Sequence, residues 1–71
     1  MRYKYLYEKA SLESWFGDEY TYKEQKYRRL VALNKPDDDG IDANTKLISL
    51  YEEAETKRKR IQELETLLKE V

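Results

Sequence analysis

The stretch ANTKLISLYEEAETKRKRIQELETLLKE, residues 43–70, decides the fold. It contains neither glycine nor proline, and most of its residues are strong helix formers. Leu47, Leu50, Ala54, Ile61, Leu64 and Leu68, with Val71 just beyond, fall on the a and d positions of one heptad frame that only Lys57 interrupts. This pattern predicts a coiled-coil-like seam on one continuous helix from about Ala43 to about Glu70. Glu53 and Lys57, Glu55 and Lys59, and Glu65 and Lys69 stand four apart with the acid first, the favourable order on a helix. At ~1.5 Å per residue the helix is about 40 Å long, so another element must pack along most of it.

Toward the N-terminus the next segment is Asn34-Lys35-Pro36-Asp37-Asp38-Asp39-Gly40. Proline cannot continue a helix, and Asn34 is a suitable residue for the position just past a helix end. Arg28 and Arg29 before the loop and the aspartates within it suit the two ends of helix dipoles. The loop therefore joins two helices, with its aspartates expected to cap the second. Thr21-Tyr22-Lys23-Glu24 matches a capping box, which starts the preceding helix at Thr21 and carries it to about Leu33.

Residues 1–20 admit two readings. Tyr3, Leu6, Tyr7 and Ala10 share a helical face, whereas Tyr3, Tyr5 and Tyr7 also alternate as in a strand. Helix is favoured, because two strands without a third are marginal. Gly17 and Asp18 then break the first helix from the second. The expected fold is a single all-α domain. It is a helical hairpin whose long C-terminal helix (43–71) packs on a broken arm: residues 1–20, a second helix over 21–34 and the acidic loop 35–42. The alternative is an N-terminal β-hairpin plus two helices.

Composition narrows the function. A 71-residue chain buries only about 60% of its unfolded surface. Cysteine and histidine are both absent, which rules out disulfides and the usual zinc sites. Association with another chain is the remaining source of stability, so the chain is expected to be a homo-oligomer, with Leu47, Leu50, Ala54, Ile61, Leu64 and Leu68 as its seam. Read as a calcium-binding EF-hand with Gly40 at position 6, the acidic loop places Lys35 and Lys46 at ligand positions 1 and 12, so no metal is expected. Nor is any cofactor. No histidine is available for acid–base chemistry, no cysteine nucleophile is present, and two glycines make no phosphate loop. The chain therefore reads as a non-enzyme. Its longest apolar run, Leu30–Leu33, is far too short to cross a bilayer, and a cytoplasmic location is expected.

Charge is balanced overall, at -1, but segregated locally. Residues 21–36 sum to +4 and residues 37–42 to -4. Folding the hairpin about the loop brings Lys26, Arg28 and Arg29 toward Lys57, Arg58 and Arg60, with Tyr22 among them. Cations interleaved with aromatic rings are what a phosphate-bearing ligand, nucleic acid or small nucleotide, requires. Seven tyrosines against one phenylalanine also exceed what so small a core can satisfy, which points to a protein contact surface. The leading expectation is a small protein that binds a partner protein stoichiometrically. Charged, tyrosine-rich, cysteine-free chains of this size include many phage and mobile-element regulators and inhibitors. A phosphate-ligand binder and a purely structural assembly factor are the alternatives.

Overall fold

The computed structural model describes residues 2–70; Val71, the last position of the heptad frame, lies outside the described residues. Helix α1 (Arg2–Trp15) runs through a five-residue π-helical turn (Phe16–Tyr20) into helix α2 (Thr21–Leu33). After a loop the chain returns as helix α3 (Ala43–Glu70), which packs against both α1 and α2. The molecule is an all-α helical hairpin of 49 × 17 × 17 Å. Its accessible surface is 5520 Å², whereas a compact protein of this mass exposes about 4,700 Å². No helix among the described residues is long and apolar enough to cross a membrane.

The helical reading of the N-terminal arm is borne out, and one expectation, the break at Gly17, is corrected. Residues 2–15 are helical, and no strand occurs among the described residues, so the β-hairpin alternative falls. The irregularity at Gly17 exists but does not break the helix. The half-buried positions of the arm are Tyr5, Glu8, Lys9, Leu12, Trp15 and Phe16, then Tyr20, Lys23, Glu24, Lys26, Tyr27, Leu30 and Val31. They recur every three or four residues on both sides of the π turn, at whose start Trp15 and Phe16 are both half-buried and at whose end Tyr20 is. A π turn closes its hydrogen bonds one residue further on than an α turn, so this turn holds one residue more than an ordinary helix would. Both halves of the arm thus keep one face toward α3.

The Thr21 capping box does not form. Tyr20, which precedes Thr21, already has helical angles (φ -62°, ψ -48°), so there is no helix start to cap. The Thr21 hydroxyl instead donates to the Phe16 carbonyl at 3.0 Å, within the π turn.

The far end of α2 follows the sequence reading. Asn34 takes the left-handed conformation (φ 57°, ψ 43°). Its amide donates to the Val31 carbonyl at 3.1 Å, and the Lys35 amide donates to the Leu30 carbonyl at 2.9 Å. These two bonds satisfy carbonyls that a helix end otherwise leaves bare. Asp37 to Gly40 then form a tight turn in which the Gly40 amide donates to the Asp37 carbonyl at 2.8 Å. Gly40 has φ +77°, a conformation that glycine adopts without steric penalty.

On α3 the seam faces the chain's own arm. Leu50, Ala54 and Leu64 are buried there, and Ala43 is buried at the loop end. Leu47, Ile61 and Leu68 are half-buried, short of the burial their heptad positions predict. A single arm covers the centre of the stripe, and two helices leave its edges open. Of the three helix-surface pairs, Glu53–Lys57 closes at 3.5 Å and Glu55–Lys59 at 3.6 Å. Glu65 and Lys69 form no ion pair among the described residues.

Candidate binding surfaces

The π turn presents a cluster of three aromatic rings to the middle of α3. Trp15 meets Phe16 edge-on, with ring centroids 5.0 Å apart, and Tyr20 lies 5.5 Å from Trp15 and 5.4 Å from Phe16. Two neighbouring cations of α3 cover the cluster. The Lys57 ammonium sits 4.8 Å from the Trp15 centroid. The Arg58 guanidinium lies 5.1 Å from Phe16 and 5.9 Å from Tyr20. A cation over a ring face is attracted by the ring's quadrupole. This contact explains why a lysine is tolerated in the seam at position 57. The alkyl stem packs while the charge rests on the indole, and Glu53 holds it at 3.5 Å.

Arg60 is taken up by a different partner. Its Nε and Nη2 donate to the two oxygens of Glu8 at 2.7 and 3.0 Å, and its Nη1 donates to Glu63 at 3.0 Å. The two-pronged bond ties the outer half of α1 to α3 and fixes the register of the hairpin. Hydrogen bonding to Arg60 holds the Glu8 carboxyl below its usual range, and the same bonds raise the guanidinium.

Lys26 belongs to a charge cluster at the loop. Asp37, buried by its neighbours, lies 3.7 Å from the Lys26 ammonium and 3.6 Å from that of Lys46. Lys26 also reaches Asp38 at 3.3 Å, and Lys46 reaches Asp39 at 3.4 Å. The triple aspartate therefore clamps α2 to α3 through two lysines, rather than capping α3 as expected. No group of acidic side chains among the described residues is arranged to hold a metal ion.

These pairings set the pH dependence of stability. The Asp38 amide, with Lys26 and Lys46 alongside, holds the Asp37 carboxyl below its ordinary 3.8, and Glu8 lies below its ordinary 4.5. Stability from both is full above the ordinary values and is lost as pH falls through the lowered ones. Bonding to Asp38 and Asp39 raises Lys26 and Lys46 above 10.5. The Glu24 carboxylate beside Tyr51 favours its phenol as a donor and raises it above 10.0. Stability from these three groups is full below the ordinary values and is lost as pH rises through the raised ones. With no histidine in the chain, thermal unfolding followed by Trp15 fluorescence is expected to be flat from about pH 5 to about pH 9, falling on both sides. A midpoint that moves between pH 6 and 8 would contradict these assignments.

The seven residues read from the sequence as one phosphate-ligand surface thus divide among several local partners. Lys57 and Arg58 cover the aromatic cluster, Arg60 holds Glu8, and Lys26 holds the loop. Arg28 lies near Tyr51 and Glu24. Tyr22, Lys26 and Arg29 do come together, with Gln25 and Leu30, around a shallow depression of about 190 Å³ on α2. Arg28 and Arg29 form no ion pair among the described residues. Sequence reading missed the roles of Glu8, Trp15, Phe16 and Lys46. Of the seven tyrosines, none is buried, and Tyr3, Tyr7, Tyr22 and Tyr51 are exposed. No protein-family model matches this chain, and no curated protein or solved structure is significantly similar to it.

Proposed function

We propose that the chain is a non-enzymatic protein that binds a partner protein stoichiometrically, through the outward face of α2. The observation that carries this reading is Tyr22, 68% exposed, beside Arg29 at the α2 depression. Tyrosine and arginine are the residue types on which interface energy concentrates. Leu33, 56% exposed and one turn beyond Arg29, extends the same face. Most other cations of the molecule already have partners within the chain, so they need not be stripped from them on binding.

A phosphate-bearing ligand is the second reading, and the adjacent Arg28 and Arg29 favour it. It is the weaker one, because Lys26, Lys57, Arg58 and Arg60 are all engaged within the hairpin. Native mass spectrometry of the protein recovered from its host separates the two. The expected result is a complex with one other protein, whose affinity falls about tenfold or more in the Tyr22→Ala, Arg29→Glu variant. A retained nucleotide or nucleic acid, or a protein held equally well by the variant, would overturn the protein-binding reading.

A further inference from the structure

Helix α1 turns a second, largely apolar face away from the hairpin. Tyr3 is 87% exposed and Tyr7 81%, and Leu6 between them is 44% exposed. Along the same face toward the π turn come Ala10, Ser14 and Gly17, all exposed. The side toward α3 holds Tyr5, Glu8, Leu12 and Trp15. Charge is graded along this helix. Residues 2–9 carry +2 (Arg2, Lys4 and Lys9 against Glu8), and residues 13–19 carry -3 (Glu13, Asp18 and Glu19). The face is therefore bulky at its N-terminal end and small toward the π turn, and the helix that carries it grades from basic to acidic in the same direction.

A patch of that kind is complementary to itself when turned end for end, which is what a twofold contact requires. A parallel arrangement would set like charges together and bulky rings against bulky rings. We propose that the outward face of α1 is a self-association surface, on which two copies of the chain pair antiparallel about an axis near Ala10. Tyr3 and Tyr7 of each copy lie over the small residues of the other, and Arg2 lies opposite Asp18 of the second copy. Gly17 gains a role that the single chain does not give it. A side chain built there meets nothing within 4 Å and needs no left-handed backbone. One helix pair buries less than the ~1,200 Å² of stable complexes, so the dimer is reversible. The inference rests on α1 and is independent of the α2 reading.

Sedimentation of the full chain from about 10 μM to about 1 mM tests it. Wild type is expected to pass from monomer to dimer. Gly17→Leu, which fits the monomer, and Tyr7→Ala are each expected to weaken the dimer about tenfold or more, with helical circular dichroism unchanged. Asp18→Lys is expected to weaken it, and adding Arg2→Glu to restore it. Because the chain has no cysteine, Ala10→Cys introduces a single thiol next to the proposed axis. It is expected to oxidise to a linked dimer at least about tenfold faster than Tyr22→Cys. A monomer throughout the range, a dimer indifferent to Gly17→Leu and Tyr7→Ala, or equal oxidation of the two thiols would overturn the proposal.

Discussion

Leu64→Ala is expected to lower the unfolding free energy by about 2–5 kcal/mol, the usual range for truncating a buried leucine. Leu64 is the one large side chain among the described residues with no exposed surface. It lies one turn beyond Arg60, whose guanidinium holds Glu8 of α1. Truncation therefore opens a void where α1 and α3 meet, and two helices offer few neighbours to fill it. A domain of this length has a total stability of only about 4–11 kcal/mol, so the variant should be partly unfolded at moderate urea. Ile48→Ala is the control, since Ile48 is 58% exposed and should change stability by no more than about 0.5 kcal/mol. Urea titration read by Trp15 fluorescence measures both. A Leu64→Ala variant within about 1 kcal/mol of wild type would show that the core is not where the hairpin places it.

The long helix and the loop were legible because each rested on local chemistry. Residues 43–70 carry a heptad frame with no breaker, and α3 spans Ala43–Glu70. Asn34 and Pro36 ended α2 through backbone geometry alone, as the left-handed Asn34 shows. The arm was harder. Its frame contains an extra residue, and a break in periodicity looks the same whether the helix stops or bulges. Thr21 compounded the ambiguity, since a hydroxyl that can cap a helix start can equally reach back to a carbonyl inside a π turn. The partners of the basic residues were not legible for a different reason. Sequence proximity to the fold-back point set Lys57, Arg58 and Arg60 beside Lys26, Arg28 and Arg29, whereas Lys57 and Arg58 lie over Trp15, Phe16 and Tyr20. It could not reveal that the rings there would be covered by those two cations, or that Glu8, 52 residues away, would take Arg60.

The second large effect concerns the register of the arm. Deleting Ser11 shifts everything before it by about 100° around the helix axis. Either Tyr5 and Glu8 turn away from α3 and the Arg60 bond is lost, or the π turn relaxes and Leu12 and Trp15 turn away instead. Both outcomes remove half-buried side chains from the core, with an expected loss of about 2–4 kcal/mol. The rotated N-terminal half would be the first part to fray.

Deleting Gly17 should behave in the opposite way, and it is the most direct test of the account. If the arm is one continuous helix carrying a single surplus residue at its π turn, removing that residue converts the turn to ordinary α-helix. The half-buried positions then step by three and four without interruption, and both halves still face α3. The unfolding midpoint of the Gly17 deletion is expected to equal or exceed that of wild type, with the Ser11 deletion far below both, all read by Trp15 fluorescence in one urea series. A Gly17 deletion destabilised as severely as the Ser11 deletion would contradict it, and would mean that the two halves of the arm depend on the extra residue for their common face.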